Sequence, residues 1–248
     1  MSEPFVAHLT LEALRGCGRA LERYGRMLKR ACRAHPPPYG QAWYGETYRK
    51  LAVDPRWLAN SLVANASKEG EGSRKLWNLV ARVEDGSIAE KVRLHAIDES
   101  RHALIYIALL NLAFPKTVSA AQLRALRRLS PGYASFDRPA PLPPSTTAIV
   151  MDELVQMNIG EIRTRIHQLM LRPVITLHCP TGNRAKLGAM MNALLDDETR
   201  HIAYTAQIID DFAAKGSATA ITNLFSRRLA DFNDITLEEV GQQSFDGG

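Results

Sequence analysis

Cysteine is scarce and scattered: Cys17, Cys32 and Cys179 are the three in 248 residues, and none belongs to a Cys-x-x-Cys pair. So odd and widely spaced a set excludes a disulfide framework and a rubredoxin-type cysteine site. It points to free thiols in a reducing compartment, the cytoplasm. Long apolar runs are missing as well. The longest, 103–113, is interrupted by Asn111 and stopped by Pro115, too short to span a membrane. No basic stretch leads into an apolar one after Met1, so no secretory leader is expected. Strand signals are sparse, with 174–177 the one short candidate. The basic clusters at 26–33 and 124–128 contain no aromatic residue. They read as solvated faces of amphipathic helices, so a nucleic acid is not expected as partner despite a net charge of +5.

What remains is helix. Hydrophobic content of 46% with 23% charged residues suits one soluble domain with a sizeable core, taken here as 1–248. A basic amphipathic helix is expected over about 10–34, ended by Pro36-Pro37-Pro38. The aromatic segment of Tyr39, Trp43, Tyr44 and Tyr48 follows. Asp54-Pro55 reads as an N-cap with proline at the first helical position. Four core helices are expected at about 55–84, 88–114, 146–171 and 182–215. A short basic helix at 117–129 and a proline-rich crossover or lid at 130–145 separate the second from the third. Pro173 and Pro180 bracket the last core connection. A shorter helix at 218–232 precedes a polar tail, about 240–248, expected to be disordered.

Two of those helices carry nearly the same five residues. Asp98-Glu99-Ser100-Arg101-His102 returns as Asp197-Glu198-Thr199-Arg200-His201. Each copy sets a carboxylate and an imidazole three residues apart, one turn along the same helical face. Helical phase places both pairs on apolar stripes. Leu187, Met191, Leu194, Glu198, His201, Thr205, Ile208 and Phe212 alternate at steps of four and three, as do Ile88, Val92, His95, Glu99, His102, Tyr106, Leu109 and Ala113. A carboxylate in such a stripe costs several kcal/mol, roughly, unless a cation or hydrogen bonds compensate. A metal polycation does so efficiently.

Two further helices each supply one inward glutamate. On the first, Glu69 shares the stripe Leu58, Leu62, Ala66, Ser73, Leu76 and Val80, whereas Glu71 falls in phase with Asn60, Ser67, Lys75 and Asn78. Glu71 is slightly closer to level with Glu99, but a wrong face cannot be corrected and a small axial offset can, so Glu69 is chosen. On the third helix Glu161 lies in phase with Val150, Leu154 and Met157. Carboxylate plus imidazole ligation favours iron or manganese over zinc or copper. One glutamate from each of two helices and a Glu-x-x-His from each of two others is the template of ferritin-like di-iron bundles.

The duplicated pentapeptide resembles the motif of bacterial multicomponent di-iron monooxygenase hydroxylases and is similar to that of the di-iron arylamine N-oxygenases. The likeness covers the four core helices. It implies an all-α, ferritin-like four-helix bundle with added N- and C-terminal helices. It further implies Glu69, Glu99, His102, Glu161, Glu198 and His201 as ligands to two metals, Fe/Fe or Mn/Fe. Asp98 and Asp197 would each orient the histidine of the opposite repeat, and Arg101 and Arg200 would offset charge around the site. The chain departs from the hydroxylases in being shorter. It also carries His95 one turn before Glu99, where the other repeat has Leu194. The N-oxygenases have such an extra histidine in the second repeat instead; His95 is either a seventh ligand or a buried hydrogen-bonded neighbour. Tyr106, one turn beyond His102, is either a redox or hydrogen-bonding group near the site or a packed core residue.

The expected activity is that of an oxidoreductase, a monooxygenase or oxidase that uses O₂ as co-substrate on a small organic molecule, with N-oxygenation of an amine as the leading specific form. Its partners would be that substrate, free or carrier-bound, and an external electron donor, with a homodimer left open. A ferroxidase or peroxidase of the ferritin–rubrerythrin type, a di-iron tRNA hydroxylase and a non-enzymatic helical module are the rivals.

Overall fold

The computed structural model describes residues 3–115 and 117–245. Every regular element in that range is helical. Nine α-helices follow one another: α1 (Phe5–Gly16), α2 (Glu22–Ala34), α3 (Ala42–Ala52), α4 (Pro55–Val80), α5 (Gly86–Ala113), α6 (Ala120–Leu126), α7 (Thr147–His178), α8 (Arg184–Phe212) and α9 (Ala218–Phe245). The chain is thus all-α, and no helix among the described residues is long and apolar enough to cross a membrane.

Local chemistry starts the core helices where the sequence marks them. Asp54 caps α4 by accepting the Arg56 amide at 2.8 Å, with Pro55 in the first turn. Asp85 caps α5 by accepting from the amides of Ser87 and Ile88. Thr146 caps α7. Ser119 and Gln122 cap α6 reciprocally.

Several expected boundaries are wrong. The single helix at 10–34 is two, because Gly18 turns the chain at φ 72° between α1 and α2. The first core helix stops at Val80 instead of Glu84. α7 runs through Pro173 to His178, so neither the break there nor the strand at 174–177 exists. Proline inside a helix costs about 3 kcal/mol. Leu171, Val174 and Ile175 are buried in that last stretch, and each such side chain contributes about 1.5–3 kcal/mol. Burial wins. The terminal helix likewise continues past 232 to Phe245, where a disordered tail was expected from 240; residues 246–248 lie outside the described range. Asn233 donates to the His35 carbonyl at 3.2 Å and Arg163 pairs with Glu239, so the polar stretch has long-range partners.

The residues sort into two compact units, and α7 and α8 contribute to both. The first unit comprises residues 1–47, 151–167 and 198–248. In it α2 packs on α9 and α1, and Tyr24 meets Phe225 edge-on at 6.1 Å between ring centres. The second comprises 48–150 and 168–197. α4 and α5 form its main pair, around a core that includes Leu58, Leu62, Leu109, Leu110, Ile175, Leu187 and Met191. The proline-rich segment is strapped onto that pair. Tyr133 stacks on Trp77 at 4.1 Å, Arg93 donates to the Ser135 carbonyl, and the Leu142 and Ser145 amides donate to the carbonyls of Ala81 and Arg82. All three cysteines are free.

Candidate metal centre

In the second unit α4 and α5 bring four of the expected residues together. Ser73 ties the two helices by donating to the Ala96 carbonyl at 2.6 Å. One turn away, Glu69 on α4 is buried and hydrogen-bonds Glu99 on α5. Glu71 is exposed and accepts from Ser67 on its own helix. Glu99 Oε1 also lies 3.3 Å from His95 Nε2 and 3.3 Å from His102 Nδ1. Both imidazoles are buried. Ligand atoms set at right angles about one ion, each near 2.1 Å from it, stand about 3 Å apart, so these spacings suit co-ligation as well as long hydrogen bonds.

Burial pushes the Glu99 carboxyl up, but its hydrogen bonds with Glu69, His102 and His95 outweigh that and hold it well below the ordinary value. Glu99 is therefore an anion in a dry site. Two buried carboxyl groups in hydrogen-bond contact must share a proton or a cation.

The far side of His102 is also occupied. Its Nε2 lies 3.1 Å from Asp197 Oδ2, on the helix that carries the second repeat. If the ring proton goes to Asp197, Nδ1 keeps its lone pair, the tautomer a metal ligand needs, and an ion takes the place of the His102 hydrogen bond in holding Glu99. Arg101 pairs with both Asp98, at 2.9 Å, and Asp197. It sits half in solvent and neutralises the acceptor from outside.

In the first unit α7 and α8 bring together Glu161, Glu198 and His201. His201 Nδ1 is 3.9 Å from Glu161 Oε2 and 3.8 Å from Glu198 Oε2. Glu198 and His201 are buried and Glu161 nearly so. Tyr106 is buried within the second unit's apolar cluster, and Arg200 is exposed.

Behind His201 runs a polar chain that helical phase alone did not single out. Tyr24 Oη donates to Asn158 Oδ1 at 2.7 Å, and Asn158 Nδ2 donates to Thr205 Oγ1 at 2.9 Å. Thr205 in turn donates to the His201 carbonyl at 2.7 Å. All three side chains are wholly buried. The sequence offers one trace of this, Thr205 as the odd polar residue on α8's inward stripe; Tyr24 and Asn158 join it only through tertiary structure.

Buried histidine and glutamate side chains of this chain could thus hold a metal ion. The donors are carboxylate oxygen and imidazole nitrogen without thiolate, a set that fits iron or manganese. Comparisons with protein-family models, with curated proteins and with solved structures found no match to this chain.

Proposed function

We propose that the chain is an O₂-dependent oxidoreductase built on a dinuclear iron-type centre of the ferritin-like kind, Fe/Fe or Mn/Fe. Glu69, His95, Glu99 and His102 of the second unit and Glu161, Glu198 and His201 of the first would be its ligands. The single observation that carries this is the cluster around Glu99: two buried carboxyl groups in contact, two imidazole nitrogens at 3.3 Å, and an aspartate behind one of the rings. Charge supports it too. Four carboxylates are balanced by two divalent ions, whereas three imidazolium groups would leave a buried charge unmatched.

When bound, such a metal pair supplies the electrons and the oxygen chemistry. The protein's part is orientation and exclusion. Asp197 holds the His102 proton at Nε2. The Tyr24–Asn158–Thr205 chain fixes the α8 backbone at His201. The apolar neighbours on the ligand stripes keep bulk water from the carboxylates, which strengthens every electrostatic contact there.

The substrate in this reading is a small organic molecule, with an amine nitrogen as the leading site of oxidation and a separate electron donor supplying reducing equivalents. Chemically reduced, iron-loaded protein should consume O₂ faster when the right member of a panel of arylamines, amino acids and carrier-bound acids is added. Rapid oxidation of free ferrous iron with mineral growth, and no response to any organic compound, would reject this reading in favour of a ferroxidase.

A further inference from the structure

α6 stands off from the helices it covers. Leu123 and Leu126 reach toward the second unit's apolar core, yet none of the seven residues of α6 is buried. The chain just beyond is pinned. Leu129 accepts from Arg74 Nη2 at 3.1 Å, and Ser130 donates to the Ser100 carbonyl at 2.6 Å. The start of α6 is fixed by the Ser119–Gln122 cap.

Beneath it lies a cavity of 790 Å³, walled by Ala59 and Val63 of α4, Leu110 and Phe114 of α5, and Ala125 and Leu126 of α6. Small-molecule sites run from about 300 to 1,000 Å³, mostly apolar with a few placed polar groups. This cavity has that make-up. Among the described residues its lining contains no acidic residue and one cation, Arg56, at the α4 N-terminal end. Arg56 is exposed, and no acidic side chain pairs with its guanidinium among the described residues. An apolar wall under a half-seated helix, with an unpaired guanidinium at the rim, selects a ligand with a greasy body and a negative head.

We propose that this cavity binds an alkyl carboxylate, its chain lying between α4, α5 and α6 and its head group on Arg56. The proposal goes beyond the metal reading and does not depend on it. Chain burial sets affinity and Arg56 sets head-group choice. Each added methylene should therefore tighten binding about fourfold until the cavity is full. A charge-assisted contact should favour a carboxylate over an alcohol of equal length by about five- to tenfold.

Calorimetric titration of the full chain with hexanoate, octanoate, decanoate, decanol and decylamine tests both parts. Saturable decanoate binding is expected, weaker for the shorter acids and the alcohol and weakest for the amine. Arg56→Ala should remove the preference for the acid over the alcohol while leaving the chain-length trend. Ala59→Trp should abolish binding by filling the cavity from α4. Leu126→Trp does the same from the partly exposed α6, where misfolding is a smaller risk. Absence of saturable decanoate binding, or unchanged affinity in both tryptophan variants, would overturn the assignment.

Discussion

His102 has a carboxylate at each ring nitrogen, Glu99 at Nδ1 and Asp197 at Nε2. A neutral imidazole can donate at only one of them, so the strength of Asp197 as acceptor decides which nitrogen carries the proton. Asp197→Asn keeps the shape and weakens that acceptor. Metal affinity, measured by competition with a chelator, should fall roughly 10- to 100-fold, with the fold unchanged by circular dichroism; undiminished affinity would remove Asp197 from the account. Asn158 makes a second case. Asn158→Leu is close in size but strands the Tyr24 hydroxyl in a dry interior, while Thr205 keeps its bond to the His201 carbonyl; a buried group left unsatisfied costs about 1–3 kcal/mol. Urea unfolding should show a loss of at least that order, and a variant as stable as the parent would mean the buried chain contributes nothing. That Glu69 and not Glu71 faces inward was legible because a helical stripe fixes which side chain points into the core, and Glu69 is the buried one. Tyr24 and Asn158 were not legible, because they are 134 positions apart and no local pattern links them.

At the scale of elements, the sequence was readable wherever the signal was local. Asp54-Pro55 and Asp85 mark the starts of α4 and α5 within a residue or two, since a cap acts on amides two or three positions away. It misled where distant contacts overrule a local cue. Pro173 breaks no helix because buried side chains on both sides of it hold the last turns of α7 in the core, and α9 extends because Asn233 and Glu239 find partners elsewhere in the first unit.

Two packing contacts between elements are testable. Gly70 on α4 faces the turn after α6 so closely that a Cβ would lie 2.1 Å from the Leu129 carbonyl oxygen. Gly70→Ala should lower the thermal midpoint by several degrees, as an overpacking cost of about 1–3 kcal/mol implies; an unchanged midpoint would mean the turn moves aside freely. α7 and α9 are clamped by Arg228, whose Nε donates to Asp152 Oδ1 at 2.7 Å. That hydrogen bond, outweighing partial burial, holds the Asp152 carboxyl below its ordinary 3.8. A depressed carboxylate stabilises the fold above its unfolded value and loses that contribution as pH falls through its folded value. The stability difference between the parent and Arg228→Ala should therefore be constant near neutrality and shrink below about pH 4. A difference that persists undiminished into strong acid would assign it to packing instead.

For the whole molecule, the all-α class followed from sparse strand signals and helical periodicity. The division of the described residues into two compact units did not, because α7 and α8 belong to both and no linker marks the change. The duplicated pentapeptide is the feature that spans both, with Asp98, Glu99 and His102 in one unit and Glu198 and His201 in the other. The decisive measurement is metal content by mass spectrometry of the protein after anaerobic loading with ferrous iron and desalting, beside Glu99→Ala and Glu198→Ala. The account predicts about two ions per chain in the parent and a marked loss in each variant, one in each unit. No retained iron in the parent, or full stoichiometry in both variants, would contradict it.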